Sequence, residues 1–172
     1  MGKIVIKFGD ITKETVDAVV NAANEGLRGG GGVDGAIHRA AGPSLMRECR
    51  KIGECRTGDA VLTGAGDLRA AMVIHAVGPV WKGGASGEPE LLRSAYERSF
   101  SIARQAGART IAFPAISAGA YGYPIEEAAA IALDESMKFK DSFDEIHLIC
   151  FSERDTKVYQ DIFSAINKDL SR

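Results

Sequence analysis

Short apolar runs alternate along the chain with longer stretches in which apolar positions recur every three or four residues, the two periods of strand and helix. Ile4 to Phe8 alternates with period two, and Ala18 to Asn21 is a second short apolar run bounded by Asp17 and the polar Asn24 and Glu25. Val33 to Ala41 suits a short helix closed by Gly42 and Pro43, and Pro43 then fits the first turn of another helix reaching about Ile52. Ala60 to Thr63 and Met72 to Val77 read as buried strands, the second stopped by Gly78 and Pro79. From Pro89 to Ala106, apolar and small residues at Leu91, Leu92, Ala95, Tyr96, Ser99, Ile102, Ala103 and Ala106 mark one face of the clearest amphipathic helix, with Gly107 as its stop. Thr110 to Phe113 predicts a strand and Pro114 to Pro124 a loop. Ile125 to Phe139 predicts an alanine-rich helix, Glu145 to Phe151 a last strand and Thr156 to Leu170 a last helix.

Strands separated mostly by helices predict a three-layer α/β/α sandwich around a central mixed, largely parallel sheet. The 172 residues carry no repeat or low-complexity stretch, which predicts one domain over 1–172.

Composition narrows the function classes. Hydrophobic residues make up 45% of the chain and charged ones 26%, which excludes disordered, collagen-like and membrane composition. Lys plus Arg number 21 against 23 Asp plus Glu, and no basic block tracks a nucleic-acid backbone, so duplex DNA is not an expected partner. An anionic small molecule stays open, because backbone N–H groups and helix N-termini hold phosphate without lysine. The three cysteines, Cys49, Cys55 and Cys150, form no CxxC pair and point to neither a disulfide framework nor a cysteine-rich metal site; they read as small apolar residues. The start, Met1 to Lys7, meets charge too early for a signal peptide, and no run of about eighteen apolar residues occurs; no membrane association and a cytoplasmic location are the expectations.

In α/β sandwiches ligands collect where the chain leaves the C-terminal ends of strands. Two segments hold that position. The first runs from Asn21-Ala22-Ala23-Asn24 through the four glycines Gly29 to Gly32 to a helix N-terminus near Val33, a row of N–H groups unhindered by side chains. The second runs from Pro114 to Pro124, also onto a helix, with small residues that admit a ligand and Tyr121 as a wall. Between them they can clasp a diphosphate, although either one, taken singly, also serves tight packing. Neither is a P-loop, since no Lys-Ser or Lys-Thr follows the glycines, and the GxGxxG spacing of a dinucleotide fold is absent.

The run NAANEGLRGGGGVDGAIHRAAG, Asn21 to Gly42, resembles the signature of macrodomains, and within them the MacroD-type branch that deacylates ADP-ribose. Gly9-Asp10-Ile11-Thr12, Thr57-Gly58-Asp59-Ala60, Val73 to Pro79, and Phe113 to Ser117 leading into Tyr121-Gly122-Tyr123-Pro124 extend the resemblance in family order. The resemblance implies that ADP-ribose and its esters are the ligands, with ADP-ribosylated proteins as further partners and no cofactor. It makes Asp10 the acceptor for the adenine amino group, with Ile11 beside it and Phe151 against the ring. Gly32 and Val33 fall in the first phosphate loop; Ser117, Gly119, Ala120 and Tyr121 fall in the second. Asn24 resembles the residue that holds the distal ribose, and Asp34 the carboxylate that activates or orients the attacking water. Ala118 and Ala120 stand where the family is often bulkier, which implies a looser fit around the distal ribose.

The residues alone support plainer roles beside these. Asp34 complements the dipole of its helix, Asn24 suits a turn, Asn21 is a structural hydrogen-bonding side chain and Phe151 fits a core. His38 shares a helix face with Asp34 and reads as structural or peripheral, while His75 and His147 read as packed or edge residues within strands; no metal site is expected. Three activities fit the implied pocket: ester hydrolysis, binding of ADP-ribose without turnover, and phosphatase action on ADP-ribose 1''-phosphate. A carboxylate near a helix N-terminus is stabilised in its charged form and is a weak base, so Asp34 fits orienting water better than deprotonating it, with a ligand phosphate sharing the work.

Overall fold

The computed structural model describes residues 2–172 and shows six strands and five helices. In chain order these are β1 (Lys3–Phe8), β2 (Ala18–Ala22), α1 (Gly32–Ala41), α2 (Pro43–Ile52), β3 (Ala60–Gly64), β4 (Met72–Ala76), α3 (Glu88–Gln105), β5 (Thr110–Phe113), α4 (Ile125–Phe139), β6 (Glu145–Cys150) and α5 (Glu153–Leu170). The sheet order is β1-β6-β5-β2-β4-β3, parallel throughout except for the antiparallel edge pair β3–β4. The expected mixed, largely parallel sandwich is what the sequence folds into.

Alternation along the strands builds a core on each face. Val20, Ile74, Ile111, Phe113, Ile146 and Leu148 pack with Leu92, Tyr96 and Phe100 of α3, Ala128 and Ala132 of α4 and Tyr159 of α5. Val19, Val73, Ala112 and Ile149 pack on the other side with Ile37 and Ala41 of α1 and Leu45 of α2. Helices on both faces leave the central strands no solvent-facing side, which is why they read as continuous apolar runs.

The sequence reading differs from the fold at the start of α5 and at two short 3-10 turns, Ile11–Lys13 and Lys140–Ser142. Helix α5 begins at Glu153, three residues before the expected start at Thr156, because the Ser152 hydroxyl accepts the Asp155 N–H at 3.1 Å and caps a first turn that looked like a polar loop. A 3-10 turn over Ile11–Lys13, absent from the reading, is nucleated by Asp10, whose Oδ1 accepts both the N–H and the hydroxyl of Thr12 at 2.9 and 2.7 Å. No helix among the described residues is long and apolar enough to cross a membrane.

The connectivity sets the position of the site. From β2 the chain turns to one face to form α1; from β5, paired beside β2, it turns to the other to form α4. Loops leaving adjacent parallel strands for opposite faces open a crevice at the C-terminal end of the sheet. Strands β2 and β5 pair only at Ala18 opposite Ile111 and Val19 opposite Ala112, so the ladder stops short of the C-terminal end of β2, on the side of that crevice.

Candidate active site

The crevice contains two adjoining cavities of about 630 and 500 Å³ that share Gly32, Val33, Pro114, Ile149 and Phe151. Asp10 and Ile11 line the first; Asn24, Asp34, Ser117, Gly119, Ala120 and Tyr121 line the second; Gly32, Val33 and Phe151 line both. The structure therefore brings every residue that the family resemblance made a ligand-binding or catalytic candidate to the lining of these two adjoining cavities. Phe8, Arg39, Gly78, Pro114, Ile149 and Asp155 line them as well and were not singled out. A signal existed for Phe8: as the last residue of β1 it lies in register with Cys150, the residue before Phe151, so two strand ends deliver two aromatic rings together. Their exposures of 55% and 67% rule out the plain core role for Phe151.

At the first cavity Asp10 spends Oδ1 on Thr12, and these hydrogen bonds hold its carboxyl below the usual range, leaving a charged acceptor beside the aromatic pair. The whole lining holds three carboxylates, Asp10, Asp34 and Asp155, against one guanidinium, that of Arg39. Any phosphate in this cleft must be held mainly by the backbone.

The backbone is arranged for that. No side chain caps α1, and the N–H groups of Gly32, Val33 and Asp34, in its first turn, have no intrahelical acceptor. Gly35 lets the loop lie down on the helix, since a Cβ there would stand 2.4 Å from the Gly30 carbonyl oxygen. In the second loop, the Gly122 N–H bonds the Gly119 carbonyl at 3.0 Å and the Tyr123 N–H the Ser117 carbonyl at 3.0 Å, while the N–H groups of Ser117, Gly119, Ala120 and Tyr121 find no partner among the described residues. Ser117 has φ +66°, a conformation costly for a residue with a Cβ, and its buried hydroxyl is unpartnered. Strain and an unpartnered hydroxyl thus coincide at one residue lining the cleft.

Support for the second loop comes from behind it. The Tyr96 hydroxyl lies 3.4 Å from both the Pro114 carbonyl oxygen and the Ile116 nitrogen, and the Trp81 N–H donates to the Tyr121 carbonyl at 2.9 Å. Trp81 also packs its ring 4.7 Å from that of Tyr123. Glu88, at the start of α3, gathers the N–H groups of Lys82, Gly84 and Ser86 at 2.7–2.8 Å. Burial pushes its carboxyl up, but those N–H bonds win and bring it down to about 2.

Asp34, buried in the first turn of α1, accepts from Asn21 Nδ2 at 2.8 Å through Oδ1, and His38 Nε2 lies 3.4 Å from the same oxygen. Its Oδ2 faces the glycine loop, 3.6 Å from where a Cβ on Gly30 would stand. Asn21 is thus the structural hydrogen-bonding side chain expected, with its bond ending on Asp34. His38 is not peripheral: one helical turn places it against the carboxylate. Asn24 lines the cavity while donating to the Gly29 carbonyl at 2.8 Å and accepting the Arg28 N–H at 3.2 Å, so its amide shapes the loop that carries the glycines.

Behind Asp34, His75 is buried in β4 between Asn21 and Thr63, and burial together with His38 pushes its pKa down to about 4. His38, Cys49 and His75 bring ligand-type atoms within 4.8 Å of one another, but both nitrogens of His75 already have hydrogen-bond neighbours. Burial raises all three thiols to about 11, consistent with inert apolar roles.

A mostly parallel α/β/α sandwich thus carries, at the C-terminal end of its sheet, a cleft lined by an exposed aromatic pair, three carboxylates and backbone N–H groups without partners among the described residues. The Macro domain family profile matches residues 20–132, and the chain belongs to that family. It is 55% identical over 159 residues to a macro domain-containing protein of Chlorobaculum tepidum, covering 91% of this chain and 92% of that one. It is 51% identical over 165 residues to a protein of Citrobacter rodentium named O-acetyl-ADP-ribose deacetylase, covering 92% and 93%. Among solved structures, the Oceanobacillus iheyensis macrodomain with ADP superposes with a TM-score of 0.90 at 42% identity, over 94% of this chain and 90% of that one. The Trypanosoma brucei macrodomain in complex with ADP-ribose gives 0.87 at 43%, over 92% and 68%.

Proposed function

We propose that this protein binds ADP-ribose and hydrolyses its esters, releasing acetate from O-acetyl-ADP-ribose or freeing ADP-ribosylated carboxylates on proteins. The observation that carries this reading is the Asp34 carboxylate at the N–H-rich end of the cleft, with Oδ1 clamped by Asn21 and Oδ2 turned toward the glycine loop. The full-length similarity to a protein named as a deacetylase supports it.

Adenine lies between Phe8 and Phe151 with its amino group on Asp10, the diphosphate spans the free N–H groups of the two loops, and the distal ribose reaches Asn24, Asp34 and Tyr121. Water held by Asp34 Oδ2 attacks the acyl carbon. The acyl–oxygen bond breaks, the ribose oxygen takes a proton that originates in the water, and the acid leaves with the hydroxyl. The N–H groups that seat the phosphates also offset the developing negative charge. Asp34 orients this water, and a ligand phosphate shares the proton.

Parallel incubation with O-acetyl-ADP-ribose, ADP-ribosylated protein and ADP-ribose 1''-phosphate tests the reading; acetate release or deribosylation is expected. Tight ADP-ribose binding with no ester turnover makes the chain a reader, and turnover of the phosphate alone makes it a phosphatase. In a thermal melt, ADP-ribose at about 100 times its Kd adds roughly 2.7 kcal/mol to the folded state, and GDP-ribose adds much less; equal effects remove the adenine role of Asp10.

A further inference from the structure

We propose that His75 is a positioning residue for the Asp34 carboxylate, acting through the Asn21 amide and held in one tautomer by Thr63; this rests on the hydrolase reading above. With Asn21 Nδ2 donating to Asp34 and facing His75 Nδ1, the imidazole proton belongs on Nε2, which then donates to the Thr63 hydroxyl oxygen at 2.9 Å while that hydroxyl gives its one hydrogen to the Gly64 carbonyl, also at 2.9 Å. Nδ1 then presents a lone pair.

That lone pair matches the orientation of Asn21. The amide nitrogen has two hydrogens and two acceptors, Asp34 Oδ1 at 2.8 Å and His75 Nδ1 at 3.2 Å. Reversing the amide would set its oxygen against a carboxylate and a lone pair at once. The orientation has a visible cost, because Asn21 Oδ1 is buried with no partner. It is the orientation that holds Asp34, and with His75 at 1% exposure no water is at hand to replace the imidazole.

The titratable groups around His75 are Asp34 and His38 from α1 and Cys49 from α2, whose Sγ lies 3.7 Å from Nε2. Burial and His38 keep the imidazole neutral to about pH 4, so the chain from Thr63 to Asp34 stays intact at neutral pH. Protonation would put a hydrogen on Nδ1 and turn the Asn21 oxygen toward it, taking the donor from Asp34.

Nitrogen-15 NMR of the histidine ring tests the tautomer without any substrate. A protonated Nε2 and a bare Nδ1 are expected at pH 6–8; the opposite tautomer or an imidazolium overturns the proposal. Single-turnover deacetylation beside ADP-ribose calorimetry tests the consequence. His75→Leu, which removes the acceptor, should lower kcat roughly ten- to a hundredfold, while ADP-ribose affinity stays within about twofold. His75→Asn, whose Oδ1 stands near the place of Nδ1, should recover most of that loss. Thr63→Val should slow turnover by about threefold, with Thr63→Ser restoring it, and this pair keeps the test valid should His75→Leu fail to fold. Equal kcat in His75→Leu and wild type, a parallel loss of ADP-ribose affinity, or the same rate for Thr63→Ser as for Thr63→Val overturns it. Absence of turnover by the wild type overturns the hydrolase reading instead, and the tautomer measurement identifies which of the two has failed.

Discussion

The two loops that line the cleft are built by different means. The first, between β2 and α1, is shaped by side-chain amides and a carboxylate: Asn24 ties Gly29 and Arg28; Asn21, thirteen residues before Asp34, grips its carboxylate; and Glu25 accepts from Thr57. The second, between β5 and α4, is shaped by its own backbone bonds and by packing behind it, from Tyr96 of α3, from Trp81 and from Gly78, where a Cβ would stand 2.2 Å from Ser117 Oγ. The first loop brings a charged side chain, Asp34, to the cleft, whereas the second brings N–H groups, a hydroxyl and an aromatic wall but no charged side chain. On the proposed reading, chemistry and shape are separated between two strands.

The largest expected effect tests the chemical half. Asp34→Asn keeps the side-chain shape and should cut single-turnover ester hydrolysis by roughly 10²- to 10⁴-fold while ADP-ribose affinity by calorimetry changes far less. If the variant turns over at the wild-type rate, the first loop is a binding element like the second and the separation fails. Next comes Gly32→Glu, which puts a side chain at φ +58° and a negative charge where phosphate sits. At ~4 Å and an effective dielectric of ~20 the repulsion is about 4 kcal/mol, close to a thousandfold in Kd, with the fold intact by circular dichroism. Wild-type affinity in that variant would move the ligand elsewhere.

Smaller effects belong to the second loop. Gly78→Ala should force Ser117 and Ile116 outward, at the ~1–3 kcal/mol typical of overpacking, read as a lower melting temperature together with weaker ADP-ribose binding. Tyr96→Phe should cost only about 1 kcal/mol, since its two bonds are long, and move the melting temperature by about 2–4 °C with turnover of bound ester unchanged. A fall in turnover as large as that of Asp34→Asn in either variant would show that the second loop takes part in the chemistry.

This contrast also explains what was legible in the sequence. The first loop is local, so one unbroken run from Asn21 to Gly42 displays both its ligand-facing groups and most of its supports. The contacting residues of the second loop were equally readable, but Tyr96 had been counted as one apolar position on a helix, and nothing in a 3.6-residue period tells which ring carries a bonded hydroxyl. Phe8 and Arg39 escaped for a related reason: their place at the cleft follows from β1 lying beside β6 and from the packing of α1, both properties of the assembled sheet. For His38 the spacing from Asp34 puts two side chains on one face, and only the rotamer brings Nε2 to the oxygen.

The short register between β2 and β5 has a further meaning. Two residue pairs join the leaf β1-β6-β5 to the leaf β2-β4-β3, where neighbouring ladders run to four, five or six. Beyond Val19 and Ala112 no further pair joins the two leaves, and the loops that follow β2 and β5 carry N–H groups without partners among the described residues. On the proposed reading, a diphosphate held by both loops would tie the two leaves together where the ladder stops, with atoms that do not belong to the chain.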